Sequence, residues 1–243
     1  DEGKLLDLNG RISNYYHYIL DLMGCVLERR FTDLERVHEN ISWLIPKEKL
    51  EKCRQKEKYI PPKVHTYEKG GYTFIRGMDR KILIGIDHGA LGFGKLAAHG
   101  HADALSFQLF AEGKPVFVDS GTYTYHVPAE ARTLFRGTGY HNTVIVDGKN
   151  QSEILGPFMW GRQAETQLFS ITTDKEKTEL IAQTCYENTI HKRTYRYCDG
   201  NGEKEEFCIT DEVRCQKGRE AEAVYLLHPD IREVECREML CKM

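Results

Sequence analysis

Two short runs, Tyr72-Thr73-Phe74-Ile75-Arg76 and Lys81-Ile82-Leu83-Ile84-Gly85-Ile86, decide the fold. Both are rich in β-branched and aromatic residues, and a turn-sized break separates them. That is the signature of two consecutive strands. The same signal recurs downstream. Leu105 to Phe110, the turn Glu112-Gly113-Lys114 and Val116-Phe117-Val118 read as a hairpin. Thr143-Val144-Ile145-Val146 runs into the turn pair Asp147-Gly148. Further strands are predicted at 179–184, 192–197, 207–212 and 223–227. Many short strands without helices between them predict an antiparallel β-sandwich.

Upstream the pattern changes. Tyr15, Ile19, Leu22, Met23, Val26 and Leu27 recur at helical spacing. Thr32 or Asp33 is placed to cap a second helix through Leu34, Val37 and Ile41, and Pro46 to end that helix or start a third. A charged stretch, Glu48 to Lys58, leads to Pro61-Pro62. The expected organisation is α+β: a helical part over 1–56, a linker over 57–66 and a β-domain over 67–243. About 55 residues are few for an independent helical domain, so the helices read as the end of a larger one.

The chain has 243 residues, 40% of them hydrophobic and 29% charged, with a formal net charge of −3. Those figures fit an ordinary globular protein, exclude wholesale disorder, and call for no nucleic acid or anionic membrane as partner. No apolar run approaches the roughly 20 residues that span a bilayer. The chain opens at Asp1, inside what already reads as folded pattern, and is expected to be a mature product or a fragment. Of the eight cysteines none form a C-x-x-C pair, which argues against a structural zinc knuckle, and free thiols are the expectation.

The residues able to do chemistry concentrate between His99 and Glu153. His99-Gly100-His101-Ala102-Asp103 comes first, then Asp119-Ser120-Gly121-Thr122-Tyr123-Thr124-Tyr125, then Arg132, Arg136 and Tyr140-His141-Asn142. Histidines two apart in an extended segment point to one side, and Gly100 lets the backbone bend between them. Two such histidines, a third and one carboxylate match an open zinc site, whose nitrogen and carboxylate donors suit Zn²⁺ better than Mg²⁺ or Ca²⁺. Asp103 and Asp119 are both candidates, and spacing alone does not choose between them. The competing reading is a set of sheet-edge polar residues satisfied by backbone. The density of histidine, aspartate, tyrosine and arginine here favours function.

Three strings, in order, carry a resemblance: Gly100-His101-Ala102-Asp103-Ala104-Leu105-Ser106-Phe107, Val118-Asp119-Ser120-Gly121-Thr122-Tyr123-Thr124-Tyr125, and His141-Asn142-Thr143-Val144-Ile145-Val146-Asp147-Gly148. Gln151-Ser152-Glu153 and His191-Lys192-Arg193 continue it. The chain resembles the heparinase II/III-like polysaccharide lyases over about residues 67–230, and more loosely over 1–55. The resemblance implies the last helices of an incomplete α/α toroid, then an antiparallel β-sandwich, with the active site between them. It also implies that most of the toroid lies outside this sequence, and that the sandwich runs beyond its end.

The implied activity is β-elimination on a uronate polysaccharide, such as heparin, heparan sulfate or alginate. It needs a group to neutralise the uronate carboxylate, a base for the C5 proton and an acid for the leaving oxygen. By resemblance, His99 is the catalytic histidine and His101, Asp119 and His141 bind zinc, which orders the loops of the cleft. Asp103 then orients a metal-bound histidine. Tyr125 and Tyr123 either serve the cleft, Tyr125 as a catalytic candidate, or pack across strands. Arg132 and Arg136 either grip carboxylate or sulfate or form surface ion pairs. The family's toroid residues have no counterpart here, so the chain alone is expected to be inactive or very weak. The segment 99–165 sets five basic residues, including Lys114, Lys149 and Arg162, against seven acids, which keeps a non-sulfated uronate in play. The alternatives are a non-catalytic, metal-containing carbohydrate-binding domain and a metal-dependent hydrolase. The family resemblance implies a secreted or periplasmic protein.

Overall fold

The computed structural model describes residues 4–6, 12–34, 37–77, 81–125, 129–200 and 205–232. The chain divides into two compact units, Asp1–Pro62 and Lys63–Met243.

In the first unit, β1 (Lys4–Leu6) and β2 (Ile12–Asn14) pair antiparallel, where the sequence pattern predicted helix. α1 (Tyr15–Leu27), α2 (Glu39–Leu44) and α3 (Lys47–Arg54) follow. Tyr18, Leu22 and Cys25 of α1 pack with Leu34, Val37, Ile41, Ile45, Leu50 and Cys53. Met23, Val26 and Leu27, expected on the packed face, are exposed. The second helix starts later than a Thr32 or Asp33 cap predicts. Leu34 takes a left-handed backbone, φ +54°, which a helix cannot contain. His38 caps instead, its Nδ1 accepting from the Asn40 N–H at 3.2 Å. Pro46 sits directly before α3, where its missing N–H leaves no helical bond unmade.

The second unit opens with an antiparallel meander of five strands: β3 (Val64–Tyr67), β4 (Tyr72–Arg76), β5 (Ile82–Asp87), β6 (Phe107–Ala111) and β7 (Lys114–Phe117). The sheet therefore begins at Val64, inside the 57–66 stretch read as linker. A helix absent from the sequence reading, α4 (Ala129–Phe135), comes next. After it come β8 (Val144–Val146), β9 (Ile154–Gly156) and β10 (Met159–Trp160). β11 (Glu165–Thr173), β12 (Lys177–Tyr186), β13 (Thr189–Cys198) and β14 (Glu206–Arg214) form a second antiparallel sheet. β15 (Ala221–Ala223) pairs with β8.

The two sheets bury one core. Ile75, Ile84, Ile86, Phe107 and Leu109 of the first meet Leu180, Ala182, Tyr195 and Tyr197 of the second. Burying one such side chain contributes about 1.5–3 kcal/mol. β12 and β13 alternate buried and partly exposed residues almost strictly, as strands do when one face meets a core. This is the expected β-sandwich. The six cysteines among the described residues form no disulfide. Cys236, Cys241 and His126 lie outside the described residues.

Candidate active site

Strand register collects the site at one end of the meander. Tyr72 opens β4 opposite Asp87, which closes β5. Phe107 opens β6 opposite Ile86, and Phe117 closes β7 opposite Leu109. Asp119 follows β7 directly, and the His99–Leu105 segment leads into β6. His141 enters just ahead of β8. Chain ends and loops placed by a sheet are the usual carriers of chemistry.

His101, Asp119 and His141 converge: one donor atom from each lies within 4.8 Å of the others. Asp119 Oδ2 stands 2.6 Å from His141 Nδ1, and its Oδ1 accepts from the Gly121 N–H at 2.8 Å. The rings of His101 and His141 are 5.2 Å apart, and His101 Nε2 lies 3.2 Å from the Thr122 hydroxyl. His141 is 0% exposed, and its Nε2 is buried without a hydrogen-bond partner. Two imidazoles and a carboxylate, one nitrogen orphaned, fit a zinc ion. Asp119, not Asp103, belongs to the trio.

Asp103 and Asp87 lie beside it. Burial, then the Asp87 charge, pushes Asp103 up to about 8; burial pushes Asp87 to about 6, with Asp119 adding. Asp87 holds the Tyr72 phenol well above its ordinary range. Burial and then the His141 charge press His101 down to about 4. Burial opposes the His141 imidazolium, but the Asp119 hydrogen bond and the surrounding carboxylates raise it on balance. Burial likewise opposes the Asp119 carboxylate, and the His141 hydrogen bond more than offsets it.

His99 and His101 line one pocket of about 540 Å³, together with Lys69, Tyr72, Asp87, Phe93, Asp103 and Thr122. They do not form the parallel pair that an extended segment predicts. The Gly100 N–H closes a turn on Ala97 O at 2.7 Å, which sends the histidines to different partners. His99 is exposed, 5.6 Å from the Tyr125 ring and 5.9 Å from Phe158. Tyr125 is thus brought to His99. Tyr123 stacks on Phe135 at 4.9 Å and is 72% exposed.

Arg132 and Arg136 are not free to grip substrate; this corrects the sequence reading. They sit one turn apart on and just beyond α4, and both are buried. Arg136 donates to Pro157 O, Gly156 O and Met159 O, with its guanidinium 4.3 Å from the Trp160 ring. Arg132 donates to Pro157 O and to Ala98 O, the carbonyl preceding His99, and lies over Tyr125 and Phe158. Arg132 Nη1 and Arg136 Nε are buried without a partner, but the remaining donors bind backbone carbonyls and the planes stack on rings, which makes both arginines structural clamps.

Sequence reasoning gave no role to Asp211, and none to Asn142 or Arg193 beyond their places in matching strings. Asn142 Nδ2 bridges Phe107 O and Val118 O, both at 2.8 Å, tying His141's neighbour to Asp119's. Arg193, 0% exposed, donates to Leu105 O and Asn142 O and clasps both oxygens of Asp211. The adjacency of Asn142 to His141 was the available signal.

The family model described as Heparinase II/III-like, C-terminal matches residues 60–242. The chain belongs to that family. Its relatives include a heparin-sulfate lyase of Bacteroides thetaiotaomicron, 26% identical over 118 residues, 47% of this chain and 15% of the relative. A heparin-sulfate lyase of Bacteroides stercoris is 32% identical over 126 residues, 49% of this chain and 17% of the relative. The chain thus aligns with under a fifth of the length of these relatives. A mutant heparan sulfate lyase HepC of Pedobacter heparinus has the same fold, with a TM-score of 0.64 at 15% identity over 90% of this chain and 31% of that one. A heparinase III shows it with a TM-score of 0.56 at 23% identity over 84% and 28%.

Proposed function

We propose that the protein containing this chain is a polysaccharide lyase that cleaves a uronate-containing glycosaminoglycan by β-elimination. The observation that carries this reading is a pocket lined by His99 and His101, with Tyr125 5.6 Å from the His99 ring and Asp119 and His141 gathered at His101. In this reading His99 exchanges a proton with the sugar at C5 or with the leaving oxygen, and Tyr125 serves the complementary transfer. Arg132 keeps both in place through Ala98 O and the Tyr125 face. His101, Asp119 and His141 would together hold zinc. A zinc ion bound there supplies positive charge among the Asp87, Asp103 and Asp119 carboxylates and ties three loops together. The helical unit is the end of an α/α toroid, a reading supported by exposed Met23, Val26, Leu27, Trp43 and Leu44. Heparan-type chains are favoured as substrate by the relatives, and secretion or a periplasmic location goes with such a polymer.

The test follows ultraviolet absorbance of unsaturated uronate with the whole protein on heparin, heparan sulfate, hyaluronan and alginate. Absorbance is expected to rise on a glycosaminoglycan and to be lost in His99→Ala at unchanged zinc content. A rise on alginate alone moves the substrate class. No rise on any polymer, with folded and zinc-loaded protein, overturns the lyase in favour of a carbohydrate-binding domain.

A further inference from the structure

We propose that Phe93 and Lys69 form a sugar subsite at the mouth of the pocket. Phe93 is the platform for the apolar face of a pyranose ring, and Lys69 is the partner of a carboxylate or sulfate on it. The inference rests on the polysaccharide reading above and adds to it residues outside the trio and outside the His99 pair.

Phe93 is 97% exposed, more than any other exposed large hydrophobic residue described. It lines the same pocket as His99, Asp87 and Lys69. A bare phenyl ring at the rim of a pocket lined by both polar groups, among them Asp87, His99 and Thr122, and apolar ones, among them Ala90 and Leu91, suits a ligand that has both an apolar face and many hydroxyls. A protein partner would need a wider apolar surface than one ring.

The backbone holds both residues firmly. Gly92 precedes Phe93 with φ +53°, and a Cβ there would stand 3.1 Å from both N and Cα of Gly100. The Phe93 loop is therefore seated on the residue between His99 and His101. Two residues beyond Lys69, Gly71 has φ +73° and packs so tightly on Gly89 that a Cβ would collide with the Gly89 Cα. The His88 N–H donates to Gly71 O at 2.7 Å and closes the same junction. The segments carrying Lys69, Phe93 and His99 are thus fixed against one another, and a rim set in advance spares a ligand the ordering entropy.

The experiment uses the whole protein as wild type, Phe93→Ala, Phe93→Trp, Lys69→Ala and Lys69→Arg, each checked for folding by circular dichroism. Calorimetry on a His99→Ala background gives Kd for size-defined sulfated and unsulfated uronate–glucosamine oligosaccharides, and the absorbance assay gives KM and kcat. Phe93→Ala is expected to raise Kd and KM about 10-fold, more than it lowers kcat, and Phe93→Trp to keep binding near wild type. Lys69→Ala is expected to weaken binding in a salt-dependent way that Lys69→Arg largely restores. Unchanged Kd in folded Phe93→Ala overturns the subsite while leaving the lyase intact. Binding that depends on Phe93, with no double bond produced, upholds the subsite and overturns the lyase. A wild-type protein that binds none of these oligosaccharides overturns the subsite.

Discussion

Replacing Arg193 with Met tests whether the sandwich core and the site share one support. The guanidinium is fully buried and donates to Asp211 Oδ1 at 2.6 Å, Asp211 Oδ2 at 2.9 Å, Leu105 O at 2.9 Å and Asn142 O at 2.6 Å. Methionine fills much of the volume but leaves the Asp211 carboxylate without its main counter-charge. Removing one partner of a buried ion pair costs about 3–5 kcal/mol. For a unit of this size, roughly 2–4 °C per kcal/mol puts the loss at about 6–20 °C in Tm. Neutralising Asp211 as well removes the stranded charge, so Arg193→Met/Asp211→Asn is expected to recover part of the loss. The two singles should then exceed the double by about 2 kcal/mol or more. Thermal and urea unfolding followed by circular dichroism read both quantities. The freed Leu105 and Asn142 carbonyls also loosen the segments next to His141, so zinc affinity is expected to fall about 10- to 100-fold, the range for removing supports of a metal ligand. A Tm within about 2 °C of wild type, or strictly additive singles, would refute the reasoning.

Asp211 is held well below the ordinary carboxylate range; burial opposes the charge, but the His191 and Arg193 hydrogen bonds more than offset it. A depressed folded value stabilises above the unfolded value of about 3.9 and is lost as pH falls through the folded one. His191 is also depressed, by burial first, so protonation of the unfolded chain begins to draw stability away below about pH 6.5. Wild-type Tm is therefore expected to decline from about pH 6.5 and faster below about pH 4, and Asp211→Asn to show a shallower second decline; parallel curves for the two proteins would count against it. His141→Ala is expected to drop zinc from about one ion per chain to none by elemental analysis, and to make Tm insensitive to a chelator that lowers it in wild type. Zinc retained at full stoichiometry removes His141 from the ligand set. Gly71→Ala is expected to cost about 1–3 kcal/mol in urea unfolding, because a Cβ collides with Gly89 at a left-handed φ. Undiminished stability would mean that this junction yields.

What was legible in the sequence follows from how each element is stabilised. Tyr72–Arg76 was read to the residue because its pattern is local and turns bound it. β11 was missed because Leu168 and Phe169 are adjacent and a bulge between Leu168 and Ser170 breaks the period of two that Ile171 would continue. The seven residues of α4 are too short to show a period. That omission carried over to Arg132 and Arg136, since a four-residue spacing on a helix would have placed them on one face. The His101–Asp119–His141 set was legible as three strings, but the choice of Asp119 over Asp103 was not spacing's to make. It depends on β7 ending at Phe117 and delivering Asp119 to His141.

The same sheet end explains why so much negative charge sits under a pocket proposed for an anionic polymer. Register sets Tyr72 opposite Asp87 and delivers Asp119 two residues past β7, while the Asp103–Ser106 turn, N–H to O at 2.8 Å, holds Asp103 near both. Three carboxylates then stand beside His101 and His141, and burial, followed by the Asp87 charge, raises Asp103 to about 8. Bare, that floor would repel a uronate. On the zinc reading proposed above, a divalent cation on His101, Asp119 and His141 would offset most of that charge without moving a strand. Under this reading the acidic residues and the anionic substrate are compatible, because the carboxylates face the ion and the pocket mouth presents Lys69, His99 and Phe93 to the sugar.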